Sequence, residues 1–312
     1  MRREALLNRV EHITGICKRL RKPSEAIQFF LREQTTDRPR NTRTLERMSQ
    51  HGHSPARIAT DAPGTSRARV WWEIAIVLAL SLGASALQAL VSIVDLLTRS
   101  EALAEQSTAL NSSVSERPLI DLAYQLLRII MGLAPVALVC FLAWSQQRPR
   151  LSSLGLHGRP RGSDLGLGLL LAAIIGIPGL ALYCGARALG LNANVIPTSL
   201  GDYWWTVPVL ILAALKAALL EEIIVVGYLF DRLRQLGWKP WTRILASALL
   251  RGSYHLYQGF GGFIGNVAMG IIFGWFYERY GRTLPLIIAH WILDIVSFVG
   301  YAWAVSTFPS LF

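Results

Sequence analysis

The sequence predicts an all-α membrane protein: a polytopic bundle of about seven transmembrane helices, within a range of six to eight, behind a basic and largely disordered N-terminal leg. Three observations predict it. Hydrophobic residues make up 52% of the 312 residues and charged ones only 16%, and the mean hydropathy is +0.38, a composition of integral membrane proteins. Apolar stretches approaching spanning length recur from residue 70 to the C-terminus. The loops between them alternate between rich and poor in Lys and Arg.

Residues 1–69 form the first region. Over residues 1–70 there are 15 Lys/Arg against 7 Asp/Glu, which supplies +8 of the total +11. Leu6, Leu7, Val10, Ile13, Ile16, Cys17 and Leu20 recur at helical spacing beside the basic run Lys18 to Lys22, as in a helix that lies on an anionic membrane surface. From Glu33 to Arg69 the chain is polar and without periodicity, so it is expected to lack a fixed fold. Met48 is an alternative start. The first apolar stretch is too short and too charged for a signal peptide. No nucleic-acid-binding pattern accompanies the basic residues, and a nucleic-acid partner is not expected. Cys17, Cys140 and Cys184 are far apart and lack metal-ligand spacing, so neither a disulfide framework nor a cysteine metal site is expected.

Residues 70–312 form the transmembrane domain. Its apolar segments run at about 70–97, 119–144, 164–187, 204–230, 242–257, 260–277 and 284–305, against the roughly 20 residues that a spanning helix needs. The fifth and sixth are short, and Gln258 to Gly262 joins them, which suggests a tight hairpin sheltered by its neighbours. Gly261/Gly265 and Gly270/Gly274 suit close helix packing. Arg148, Arg150, Arg159, Arg161, Arg232, Arg234, Lys239, Arg243, Arg279 and Arg282 fall in loops on the side of the basic leg. Loops 98–118 and 188–203, on the opposite side, are poor in basic residues. The positive-inside rule therefore places the N-terminus in the cytoplasm and the C-terminus outside, in a plasma membrane of bacterial type. Trp71, Trp72, Trp204, Trp205, Trp238 and Trp241 sit near predicted span ends as interface anchors.

The ionisable residues inside these segments are the functional candidates, since an acid in hydrocarbon is costly to keep. Glu221 and Glu222 are adjacent in the fourth segment, Arg251 and His255 lie in the fifth, and His290 and Asp294 in the seventh. Counted from the cytoplasmic helix ends, Glu221, His255 and Asp294 come at depths of roughly 15, 18 and 15 Å, with His290 at roughly 9 Å. Arg251/His255 and His290/Asp294 are i, i+4 pairs that share a face. Adjacent glutamates point about 100° apart, so one is expected to face a cavity while the other, Glu222, pairs with Arg251. Such a set can activate a water. It can also hold zinc, through Glu221, His255, His290 and Asp294, with an open position for water. Neither reading is excluded by the residues alone.

At these positions the chain resembles the CPBP intramembrane proteases, which include the type II CAAX prenyl endopeptidases and bacteriocin-processing or self-immunity proteins. The family's motifs are Glu-Glu-x-x-x-Arg, Phe-x-x-x-His and His-x-x-x-Asn or Asp. Glu221-Glu222 match the first except at Val226, Arg251 replaces the aromatic residue before His255 in the second, and His290 with Asp294 matches the third. The resemblance covers roughly residues 200–300. The arginine is read as having moved from position 226 to 251. The resemblance implies an endopeptidase that hydrolyses a membrane-associated or lipid-modified peptide, with Glu221 as general base. His255 would hold the water, and His290 and Asp294 would serve the oxyanion. Such families have been read both as zinc enzymes and as glutamate-dependent ones. Its partners would be membrane lipid and a peptide or lipidated protein. A catalytically silent relative that binds peptides or confers immunity is the alternative. A proton-coupled transporter is disfavoured, because no internal repeat is visible.

Overall fold

The structure, a computed structural model, describes residues 66–144, 150–157 and 160–300. The expectations for the basic leg, for the start of the chain and for residues 301–305 lie outside the described residues, as do Arg148 and Arg159. The first segment is two helices, α1 (Arg67–Ala79) and α2 (Leu82–Thr98), bent by 55°. Ser66 caps α1 by accepting from Arg69 N at 3.2 Å. A Cβ on Gly83 would stand 2.7 Å from the Leu78 carbonyl oxygen, so the bend needs a glycine there. Helices α3 (Pro118–Gly132) and α4 (Ala134–Leu142) make the second segment, and α5 (Gly162–Ala188) the third. Asp164 fixes the start of α5 by accepting from Arg161 N at 2.7 Å and from Arg282 Nε at 2.8 Å.

The fourth segment is α6 (Thr206–Glu221), a π-helical stretch Glu222–Tyr228 and α7 (Leu229–Gln235). Helix α8 (Pro240–Ser253) leads through a 3-10 turn, Leu256–Gln258, into α9 (Phe260–Tyr280), and α10 (Leu284–Ile295) continues as π-helix to Gly300. Every predicted apolar segment is thus helical where described. Among the described residues three helices are long and apolar enough to cross a membrane, or four if the bent pair α1–α2 is one span. Helix α8 has only 14 residues, about 21 Å of helix against roughly 30 Å of hydrocarbon. The fifth segment is thus short as expected, whereas the sixth is not: its helix α9 runs for 21 residues and is one of the three.

Glycines let the α8–α9 hairpin close. A Cβ on Gly270 would lie 2.7 Å from Ala248 Cα, and one on Gly274 would lie 3.0 Å from Phe230. The hairpin tip is tied down: Ala193 N donates to Gln258 O at 3.1 Å and Phe260 N to Leu191 O at 3.0 Å. Asn192 Oδ1 accepts from Gly261 N at 2.8 Å.

The all-α expectation needs one correction. β1 (Ser107–Asn111) and β2 (Asn194–Thr198) form a two-stranded parallel sheet, with Ser107 opposite Asn194. Each strand is a five-residue piece without the apolar alternation that marks a strand in sequence. Their pairing brings loops 98–118 and 188–203 to the same side of the bundle. The other side carries ion pairs between helix ends. Arg232 Nε meets Glu73 Oε2 at 2.8 Å, and Arg243 Nη2 meets Glu278 Oε1 at 2.8 Å.

Candidate active site

Helices α6, α8 and α10 bring the motif residues together. Glu221 ends α6 and Glu222 opens the π-helical stretch, in which every residue from Glu222 to Tyr228 is buried. A π-helix wastes regular hydrogen bonding and is found mostly where function demands it. Here Ser247 Oγ, from α8, donates to the Val225 carbonyl at 2.9 Å.

The two glutamates do not separate as a uniform α-helix predicts. Arg251 Nη2 donates to Glu222 Oε1 at 2.7 Å, and Arg251 Nη1 donates to Glu221 Oε2 at 3.2 Å. The expected pair of Glu222 with Arg251 is present, but Glu221 shares the same cation. The guanidinium fork spans two acceptors at once, which a lysine could not do in a fixed geometry.

His290 Nδ1 lies 2.6 Å from Glu222 Oε1. Its Nε2 lies 3.6 Å from Asp294 Oδ2 and 3.9 Å from Glu221 Oε2. His255 stands just past the end of α8, with Nε2 at 3.9 Å from the same Glu221 oxygen and Nδ1 at 3.3 Å from Gln258 Nε2. All six residues singled out in the sequence therefore meet in one place. Tyr254 joins them: its hydroxyl donates to Glu221 Oε2 at 2.7 Å. Sequence reasoning passed over Tyr254, although it follows Arg251 by three residues and so shares its helical face.

The site is graded from sealed to open. The side chains of Glu222 and Arg251 are 0% exposed, Glu221 is 10%, His255 18% and Asp294 20%. The site is thus most open on the side of His255 and Asp294. Glu222 Oε2, Arg251 Nε and His255 Nε2 are sealed atoms without a hydrogen-bond partner, and such atoms mark where water or a ligand belongs.

A metal can also be considered. Donor atoms of Glu221, Glu222 and His290 lie within 4.8 Å of one another. This set differs from the one expected from sequence, since Glu222 enters it and His255 and Asp294 do not. Two carboxylates, an imidazole and the partnerless Glu222 Oε2 fit a metal ion in kind. The Arg251 cation already bridges both carboxylates and competes for their charge.

Carboxylates, histidines and a paired arginine thus lie half sealed together within the helical bundle of a membrane protein. Residues 203–296 match the family described as Rce1-like, the type II CAAX prenyl endopeptidases. The matched stretch spans α6 to α10 and holds every residue of the site. It supports the CPBP and CAAX protease family that the three motifs resemble. No curated protein and no solved structure matches the chain.

Proposed function

We propose that this protein is an intramembrane endopeptidase that cleaves a membrane-associated or lipid-modified peptide with a water activated by Glu221. One observation carries the reading. His255 Nε2 is sealed, partnerless and 3.9 Å from the Glu221 carboxylate, too far for a direct hydrogen bond and a gap that one water, at about 2.8 Å from each group, would span. A base and a second polar group on one water is the arrangement that hydrolysis needs.

In this reading the water oxygen bonds to the scissile carbonyl carbon while its proton passes to Glu221. The charge that develops on the carbonyl oxygen is met by His290 through Nε2–H, while Glu222 Oε1 holds the ring at Nδ1 and the Asp294 carboxylate stands 3.6 Å from Nε2. Glu221 then returns the proton to the leaving nitrogen as the C–N bond breaks. Arg251 keeps the paired carboxylates from repelling each other in a sealed setting. A zinc ion on Glu221, Glu222 and His290 would supply Lewis-acid activation of the water. The family match supports the peptide bond as target, and the membrane setting supports a lipidated or membrane-docked substrate.

The chain's path supports seven traverses. The sheet and the hairpin tip share one side, and the ends of α4, α7 and α9 are joined through Arg232, Arg234 and Glu278 on another, which favours this path. The basic loops support a cytoplasmic placement for the N-terminus and for residues 1–69. A silent, peptide-binding relative is favoured by Val226, which stands where the family motif has arginine.

The test is cleavage of a quenched fluorogenic membrane-peptide library by protein in nanodiscs. Wild type is expected to cleave, and Glu221→Ala to lose about 10²–10⁴-fold in rate. A chelator separates zinc-assisted from glutamate-only hydrolysis. Equal activity in wild type and Glu221→Ala would sink the proposal.

A further inference from the structure

We infer that Tyr254 is a positioning residue, whose phenol O–H anchors Glu221 by Oε2 and so holds in place the carboxylate that takes the proton from water. The inference rests on the reading of Glu221 as base. Tyr254 Oη donates to Glu221 Oε2 at 2.7 Å, and Arg251 Nη1 donates to the same oxygen at 3.2 Å. Two donors on one oxygen hold the carboxylate against rotation, and this Oε2 is also the Glu221 oxygen that lies 3.9 Å from both His255 Nε2 and His290 Nε2.

The phenol is itself held. Tyr254 is 5% exposed and packs among Ala218, Tyr228 and Ile287. Its ring lies against the His255 imidazole, with centroids 4.9 Å apart. Packing fixes the ring, the ring places the hydroxyl, and the hydroxyl stops the carboxylate from turning. One residue thereby sets both partners of the water, the Glu221 oxygen and the neighbouring His255. During hydrolysis Tyr254 keeps its own proton; the water's proton goes to the Glu221 carboxylate and from there to the leaving nitrogen.

Tyr254→Phe keeps the ring and removes the donor. Cleavage should lose roughly 10–100-fold in kcat, with KM within about twofold, because a loosened base costs orientation and leaves binding intact. A purely structural role would instead move KM and thermal stability along with kcat. A second readout needs no substrate. The infrared carboxylate band that disappears in Glu221→Gln reports Glu221, and it should shift in Tyr254→Phe. Fluorotyrosine in place of Tyr254, a nearly isosteric and stronger donor, should shift it in the opposite sense. A band that stays put in both variants overturns the inference, and so does a kcat that Tyr254→Phe leaves unchanged. If the band shifts while wild type cleaves nothing, the contact stands and the protease reading falls.

Discussion

Arg251 is the residue on which the site's charge balance turns. It is 0% exposed, bonds both glutamates, and its guanidinium lies 5.6 Å over the Phe273 ring. Val226, also 0% exposed, packs in the same cluster as Phe273. The position that carries the family's arginine thus lies in the apolar cluster whose Phe273 ring the Arg251 guanidinium covers. Arg251→Leu leaves Glu222 sealed with only His290 beside it, and should cost about 3–5 kcal/mol. Adding Val226→Arg to Arg251→Phe rebuilds the family pattern, and denaturation in detergent should show part of that loss recovered. A double variant no more stable than Arg251→Phe would show that the cation has not simply moved between helices. Asp294→Asn, the other residue of the third motif, should keep cleavage within about tenfold. Asparagine keeps a polar group of the same shape beside His290, which Asp294 Oδ2 approaches to 3.6 Å, although it brings no charge. A complete loss in that variant would assign the Asp294 charge a larger part.

At the scale of elements, the α8–α9 hairpin delivers Arg251, Tyr254 and His255 to the glutamates. Its closeness rests on Gly270, where a Cβ would meet Ala248 Cα at 2.7 Å and Arg251 Cδ at 3.4 Å. Gly270→Val should push α8 away and cost about 1–3 kcal/mol, with cleavage falling further than stability because Arg251 moves too. Unchanged thermal unfolding would show that the hairpin tolerates a wider spacing. Much of this element was legible beforehand. The glycine pairs, the short fifth segment and the i, i+4 pairs are periodic signals that a sequence carries locally. The π-helical stretch was not, because nothing in Glu222 to Tyr228 departs from an ordinary apolar helix until Ser247 takes the Val225 carbonyl. Tyr254 was hidden for a similar reason: an aromatic at a helix end is commonplace, and only the approach of α6 gives its hydroxyl a partner. The strands escaped because their pairing joins residues 87 apart, Ser107 and Asn194, through contacts that neither strand announces.

For the molecule as a whole, sidedness decides how the site meets its substrate. The sheet, the hairpin tip and the 188–203 loop are tied together on one side by Asn192 and the backbone of Leu191 and Ala193. Helix ends are tied on the other by Arg232 with Glu73 and Arg243 with Glu278. Arg232 and Arg243 are buried in these pairs, and the pairs record which helix ends lie together. The basic loops belong to the second side, so the proposed orientation puts the sheet outside and the ion-paired ends in the cytoplasm. Single cysteines at Ala109, Val195 and Gln258, in a chain whose Cys17, Cys140 and Cys184 are replaced, test this with a membrane-impermeant maleimide. All three should react only in right-side-out vesicles, and cysteines at Gln235 and Arg279 only in inverted ones. That outcome would require α6–α7, α8 and α9 each to lead from one side of the membrane to the other, including the hairpin whose helix α8 is too short to do so alone. Labelling of Ala109 and Val195 from opposite faces would instead break the sheet and the proposed order of traverses. If Gln258 alone reacted from the cytoplasmic side, the hairpin would be re-entrant and His255 would meet its substrate from there.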